Sequence, residues 1–289
     1  MKKKVLTISI FGFFLLLVVC LTVFFRLSGN LASPSNQPVG PAPEHLNAID
    51  VTLKSESGSD LKGWFIPGRI DSVGIILMHG NGENRKAMVK RAEFLNSHGY
   101  SIFLFDFQAH GESKGKHKTF GYLESLDAQA AVRYMRSHPS IKKIGVIGIS
   151  LGGAAALLSP DARSVDALVL EAVYPTFEEA ASNRLKLHLG WIGPLFTKFL
   201  LLQAKPRIGV SLEDLRPIEK IGTIKAPLLL IAGSDDKRTT LSESKRLFSK
   251  APEPKELWIL NGAVHEDFHA YSPRYYEEKI LSFFSKYLE

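Results

Sequence analysis

Apolar and polar positions change pattern twice along this chain of 289 residues. From Val5 to Phe25 there are 21 consecutive residues without a charge, rich in Phe, Leu, Val and Ile. As a helix at about 1.5 Å per residue they span roughly 31 Å, the depth of a bilayer's hydrocarbon core. Residues 27–46 (LSGNLASPSNQPVGPAPEHL) then hold four prolines and no periodicity, which predicts an extended tether. Beyond it, short runs rich in β-branched and aromatic residues alternate with segments of helical period. Ala48–Lys54, Leu61–Ile66, Val73–Met78, Ser101–Asp106, Ile144–Ile149, Ala167–Glu171, Pro227–Ala232 and Lys255–Leu260 read as strands. Arg85–Ser97, Gly121–Ser137, Leu151–Leu158, Thr240–Lys250 and Ser272–Leu288 read as helices. Two strands able to form a hairpin, followed by β-α alternation, predict an α/β domain with a mostly parallel eight-stranded sheet covered by helices on both faces.

One stretch breaks the alternation. Between Glu171 and Pro227 lie 55 residues, too many for a simple crossover. Within it Trp191, Ile192, Leu195, Phe196, Phe199 and Leu200 fall at helical spacing and make a strongly apolar face. Such a face suits a helix packed on the core, or a small helical cap over about 175–222 that shelters an apolar pocket.

Charge narrows the class. Lys and Arg number 36 against 29 Asp and Glu, a net charge of +7. Lys2, Lys3, Lys4 and Arg26 supply +4 of it, and no acidic residue precedes Glu44. The 263 residues after Arg26 carry 32 basic and 29 acidic side chains, or +3. That near-neutrality argues against a nucleic-acid-binding domain, which needs a concentrated basic surface to displace counterions from phosphates. The single cysteine, Cys20, lies in the first apolar run, so residues 27–289 hold neither a disulfide framework nor a thiolate metal site.

A secretory signal has an apolar region of only about 7–15 residues and a small-x-small cleavage site. The longer run here, followed by poor sites at Leu27-Ser28-Gly29 and Asn30-Leu31-Ala32, favours an uncleaved membrane anchor; cleavage and secretion is the alternative. Three lysines before the run, and one arginine followed by 17 uncharged residues after it, orient the N-terminus to the cytoplasm and residues 27–289 away from it.

Gly148-Ile149-Ser150-Leu151-Gly152 joins a predicted strand to a helix of small residues. A turn this tight exposes Ser150 in a strained backbone conformation, and side chains two residues before or after it would clash; Gly148 and Gly152 remove both clashes. Ser150 also stands at a helix N-terminus, where the Leu151 N–H and the helix dipole stabilise a developing oxyanion. A serine alcohol needs a base, and the base needs an acid to hold its tautomer. In this arrangement the chain order is Ser, then Asp or Glu, then His, each after a strand. Gly233-Ser234-Asp235-Asp236 follows one predicted strand and Asn261-Gly262-Ala263-Val264-His265 another. Asp236 is the favoured acid, with Asp235 solvated or in a turn; of nine histidines only His265 fits both order and place. Met78-His79-Gly80-Asn81-Gly82 offers the second oxyanion donor through the N–H of Asn81 or Gly82, with His79 orienting the loop.

Taken together these motifs resemble the α/β-hydrolase superfamily. Leu61-Lys62-Gly63-Trp64-Phe65-Ile66-Pro67, the His79-Gly80-Asn81-Gly82 loop and Asp106-Phe107-Gln108-Ala109-His110-Gly111-Glu112-Ser113 sharpen the likeness over residues 47–289. They point to single-span bacterial relatives of serine aminopeptidase-like proteins and α/β-hydrolase-domain depalmitoylases. The resemblance implies a triad of Ser150, Asp236 and His265, with Asp236 three residues after the glycine that ends its strand and the base set as Gly262-x-x-His265. It further implies cleavage of a carboxylic ester or thioester, of a small or lipid-like acyl substrate, through an acyl-serine. Amide or peptide hydrolysis by the same residues is the alternative, and nothing requires a metal or an organic cofactor. Gln108-Ala109 departs from the Arg-Gly of many relatives, which puts in question an ion pair in that loop.

Two other readings compete. His265-Glu266-Asp267-Phe268-His269 spells HExxH, which binds zinc on a continuous helix; here Ser272-Pro273 interrupts one turn later and only 20 residues remain for a third ligand. A non-catalytic binding protein on the same fold is the second, although every triad and oxyanion position holds a competent residue. Lys114-Gly115-Lys116-His117-Lys118 reads as a solvated turn, or as a contact to anionic headgroups. The charge pattern predicts that protease added outside intact cells cuts within residues 50–289; protection of that region would reverse the orientation.

Overall fold

A computed structural model of the protein describes Thr22, Gly29 and residues 31–289 except 70–72. The predicted span Val5–Phe25, Thr22 excepted, and its flanking charges Lys2, Lys3, Lys4 and Arg26 lie outside the described residues. Eight strands build one sheet: β1 (Ile49–Lys54), β2 (Asp60–Ile66), β3 (Val73–Met78), β4 (Ser101–Phe105), β5 (Lys143–Ile149), β6 (Ala167–Glu171), β7 (Leu228–Gly233) and β8 (Lys255–Leu260). Across the sheet they run β8-β7-β6-β5-β3-β4-β2-β1. β2 is antiparallel to both β1 and β4, and the other neighbours are parallel. The sheet is therefore mixed at one edge and parallel through its centre.

The helices are α1 (Val89–Ser97), α2 (Tyr122–Ser137), α3 (Leu151–Leu158), α4 (Phe177–Leu189), α5 (Gly193–Leu202), α6 (Ala204–Ile208), α7 (Pro217–Lys220), α8 (Leu241–Lys250), α9 (Phe268–Tyr271) and α10 (Pro273–Leu288). Every residue of β3, β4 and β6 is buried, because helices cover both faces, and such strands read as unbroken apolar runs. Successive side chains still point to opposite faces. Ile76, Met78, Phe103 and Phe105 pack with α2 and α3, whereas Ile75, Leu77, Ile102 and Leu104 pack with α1 and α10.

The expected tether departs from its prediction. Residues 31–46 lie along the domain: Ser35 and Asn36 pair in parallel with His110 and Gly111, and the N–H groups of Val39 and Gly40 donate to Glu112 Oε1 at 3.0 and 3.2 Å. Val39 and Leu46 are buried. A proline-rich extended segment has no internal hydrogen bonds to satisfy, so its backbone is as free to pair with a protein surface as with water.

Between β6 and β7 the chain departs from the sheet to form α4 to α7. α4 and α5 pack on one another as a helical hairpin, and Ala180, Ala181 and Leu200 from it share a cavity with Ser150. A buried polar cluster holds the opposite flank. Arg91 of α1, fully buried, donates to Glu171 (2.8 Å) at the end of β6 and to Tyr276 (2.9 Å) of α10, and it pairs with Asp267 (2.7 Å). Burial by itself would lower the guanidinium's pKa, but Glu171, Tyr276 and Asp267 outweigh it and raise it. Removing Arg91 or Glu171, both buried, from such a cluster costs about 3–5 kcal/mol, so it clamps α1, β6 and the segment carrying His265.

Asp127 of α2 is wholly buried; it accepts from Ser55 Oγ (2.6 Å) and from Gln108 N (2.8 Å), anchoring the loop after β4. Burial pushes its carboxyl from 3.8 up to about 7. Because the folded-state value lies above the unfolded one, the group's stabilising contribution is complete below about pH 4 and is lost as pH rises through 7. Asp127→Asn retains both hydrogen bonds, with Nδ2 donating to Ser55. Chemical-denaturation midpoints should therefore show the wild type losing a few kcal/mol (order of magnitude) relative to Asp127→Asn across that window; parallel profiles would refute the assignment.

Candidate active site

Ser150 is the pivot between β5 and α3. Its φ of 48° and ψ of −104° fall where side chains are rarely accommodated. Two backbone bonds hold it there: its N–H donates to Glu171 O (2.8 Å) and its carbonyl accepts from Ala154 N (3.0 Å). The flanking glycines are required by space. A Cβ at Gly148 would stand 2.7 Å from Gly153 N, and one at Gly152 2.3 Å from Met78 O. Ser150 is consequently presented at the carboxyl edge of the parallel strands, the edge where open α/β sheets bind ligands.

Asp236 follows β7 and His265 follows β8. His265 Nδ1 lies 2.7 Å from Asp236 Oδ2, while Asp236 Oδ1 accepts from the N–H groups of Arg238 (2.7 Å) and Thr239 (2.9 Å). The Asp236 carboxyl is buried and the imidazole only partly so. A carboxylate on Nδ1 makes Nδ1 the protonated nitrogen and leaves Nε2 to act as a base. Asp235, its neighbour, is exposed and accepts from Ser234 Oγ (2.8 Å). Ser150 and His265 line the same cavity, whose lining mixes polar and apolar groups.

The HGNG loop sits on the other side of Ser150. His79 is buried, its Nδ1 donating to Gly80 O (2.7 Å) and its Nε2 accepting from Phe107 N (3.1 Å). Burial, reinforced by the neighbouring His110, drops its pKa to about 3 and keeps it neutral. Such a ring orients a loop and does not shuttle protons. Asn81 lines both cavities at Ser150, and its backbone N–H makes no hydrogen bond among the described residues.

Two sequence motifs meet at Arg85, three residues beyond the HGNG loop. Its backbone N–H donates to Asp106 Oδ1 (2.7 Å), its guanidinium pairs with Asp106 and Glu112, and its Cζ lies 4.4 Å from the centre of the Trp64 ring. The hydrogen bond from Arg85 lowers the Glu112 carboxyl to about 2. Gln108 donates from Nε2 to Glu124 Oε1 (2.7 Å) and His117 O (2.9 Å). A neutral amide donor on the Glu124 carboxyl thus stands where an arginine would make an ion pair. Ala109 adopts φ 58°, a conformation glycine reaches at lower cost.

Two cavities of about 130 Å³ each meet at Ser150. One is apolar and runs under the cap past Phe120, Phe177, Leu185 and Leu200 to Leu31; the other is bounded by His265, Glu266, Arg238 and the Asn81 loop. Of the apolar face expected over 191–200, only Leu200 lines the first cavity, whereas Trp191, Leu195 and Phe199 are exposed. α5 carries large apolar residues on both its inner and outer sides, so spacing alone does not say which row faces inward. Sequence reasoning also missed Arg184 of α4, which lines both cavities. Burial lowers its guanidinium below the ordinary value, and neither it nor Arg238 forms an ion pair among the described residues. No local motif marks it, since its place depends on how the hairpin lies over β5.

The HExxH spelling does not form a zinc-binding helix. Residues 265–267 are non-helical, α9 starts at Phe268, and His269 Nε2 instead contacts Glu277 Oε1 at 2.7 Å. Asp267 caps α9, accepting from His269 N (2.9 Å), and so turns the chain away from the helical path that the spelling needs.

Residues 72–216 match the family model described as serine aminopeptidase, S33. An uncharacterized Mycobacterium tuberculosis protein is 30% identical over 239 residues, which is 81% of this chain and 78% of that protein. The α/β hydrolase domain-containing protein WAV2 of Arabidopsis thaliana is 28% identical over 86% of this chain and 82% of its own. Among solved structures, the Pyrococcus furiosus esterase Pf2001 superposes with a TM-score of 0.71 at 26% identity, covering 89% of this chain and all of that one. The matched segment contains the turn at Ser150 and the HGNG loop, and the chain accordingly belongs to the serine aminopeptidase S33 family of α/β hydrolases.

Proposed function

We propose that the protein hydrolyses carboxylic esters or thioesters of apolar acyl groups through an acyl-Ser150 intermediate. The observation that carries this reading is the position of Ser150 between an apolar cavity and the His265–Asp236 pair. His265 Nε2 takes the Ser150 proton as Oγ attacks the carbonyl carbon, and the N–H groups of Leu151 and Asn81 receive the oxyanion. Collapse of the tetrahedral species breaks the bond to the alcohol or thiol, which leaves with the proton from His265. Water, deprotonated by His265, then attacks the acyl-serine and releases the acid. Asp236 holds the imidazole in the working tautomer throughout.

The apolar cavity suits the acyl chain and the mixed one the leaving group. Arg184 and Arg238 beside Ser150 repel the α-ammonium that an aminopeptidase substrate would bring, which favours the ester reading over the amide one. With the N-terminal apolar run as a membrane anchor, the enzyme works at a bilayer surface.

Ser150→Ala is expected to lose at least about 10⁴-fold in kcat and all labelling by a fluorophosphonate, with wild-type activity unaffected by chelators. Asp236→Asn is expected to lose about 10⁴-fold and Asp235→Asn almost nothing; the reverse ranking would move the acid to Asp235. Filling the apolar cavity with Ala181→Phe should depress kcat/KM for an octanoyl ester at least about tenfold more than for an acetyl ester. Equal losses would place the acyl chain elsewhere.

A further inference from the structure

We propose that the outer face of the α4–α5 hairpin docks on an anionic lipid bilayer, a contact additional to any made by the N-terminal apolar run. The inference is independent of the catalytic reading. Among the described residues, Phe177–Leu202 is the one stretch long and apolar enough, by length and composition, to cross a membrane. It does not lie as one rod, because the turn at Gly190–Ile192 folds it into the two arms α4 and α5. Those arms reach roughly 20 and 15 Å at 1.5 Å per residue, well short of a bilayer core of about 30 Å. The hairpin is built to lie against a membrane, not to span it.

Its two faces differ. Gly193, Thr197 and Leu200 of α5 face inward and are buried. On the outside Leu187, Leu189, Trp191, Leu195, Phe199 and Leu202 are exposed, Trp191 by 84%, Leu202 by 75% and Leu195 by 66%. A soluble surface rarely carries so many large exposed apolar side chains on one helical hairpin without a partner. Tryptophan at the exposed tip is the residue type that favours the headgroup boundary.

Charge selects the partner. Between Glu179 and Glu213 the chain holds Arg184, Lys186, Lys198, Lys205 and Arg207 and no acidic residue. Lys186, Lys198 and Lys205 are exposed beside the apolar stripe. A stripe of Leu, Phe and Trp flanked by lysines is the pattern of an interfacial helix attracted to anionic lipid. The course of the chain agrees. Leu31, six residues after the predicted span ends at Phe25, lines a surface groove with Leu200 and Ala204. A bilayer holding that span therefore lies within a few residues' reach of the hairpin, since an extended residue covers only about 3.3–3.6 Å.

Trp191 supplies the test in the full chain, because Trp64 is fully buried and Trp258 partly so. The protein is reconstituted in vesicles of phosphatidylcholine and phosphatidylglycerol, and the Trp191 emission is obtained as the difference from Trp191→Phe. Replacing part of the lipid by its bromine-labelled form should remove most of that emission, whereas aqueous iodide should remove little. Leu195→Gln with Phe199→Gln should lose the bromine effect while keeping an unchanged melting midpoint, since both side chains are exposed. Pure phosphatidylcholine vesicles, or Lys186→Gln with Lys198→Gln and Lys205→Gln, should weaken the bromine effect several-fold. Free quenching by iodide would place the face in water and overturn docking, and equal bromine quenching without anionic lipid would overturn the charge preference. Shielding from both quenchers would overturn the proposal in favour of a protein partner, a second copy if sedimentation shows a dimer and the N-terminal run if it shows a monomer.

Discussion

The whole arrangement depends on one turn too tight for side chains. β5 must reverse into α3 within a single residue so that Ser150 projects from the sheet edge, and this brings Gly152 against the carbonyl of Met78 and Gly148 against Gly153. The unfavourable backbone at Ser150 persists because β3 and β6 hold the turn from both sides, the latter through the bond from Ser150 N to Glu171 O. Close approach to β3 also sets the HGNG loop beside Ser150, so the same packing that creates strain brings the Asn81 N–H, unpaired among the described residues, to the same cavity.

Strain at one residue requires rigidity around it, and two polar clusters supply it. On one side Arg85 gathers Trp64, Asp106 and Glu112, which fixes the loops that follow β3 and β4. On the other Arg91 joins Glu171, Tyr276 and Asp267, two residues from His265. Glu171 takes part twice, its carboxylate in the Arg91 cluster and its carbonyl on Ser150 N. Ser150 and His265 are thus referenced to a common buried framework, which is how a loop residue such as His265 keeps a defined position.

The cap reconciles two demands on one helical hairpin. Its inner face must leave space beside Ser150, and Ala180 and Ala181 do so by being small. Its outer face carries large apolar side chains that a soluble domain has no reason to expose. Apolar residues on both sides of α5 obscure the distinction between core and surface that hydrophobic periodicity normally reveals.

By itself the sequence determined the strand and helix order, because period-2 and period-3.6 patterns are local and the central strands are long enough to be unambiguous. It also determined Ser150, Asp236 and His265 as candidates, since each stands directly after a predicted strand and a sheet edge collects whatever follows its strands. The tertiary structure alone decided what depends on distant segments meeting. It laid residues 31–46 on the domain, paired Gln108 with Glu124, and broke the HExxH run at Asp267. It also turned Trp191 outward and Leu200 inward, and brought Arg184 to both cavities. None of these is written in a local period, because each depends on which particular groups the folded chain brings into contact, from Asp267 capping a helix through the N–H two residues on to Ser35 pairing with His110.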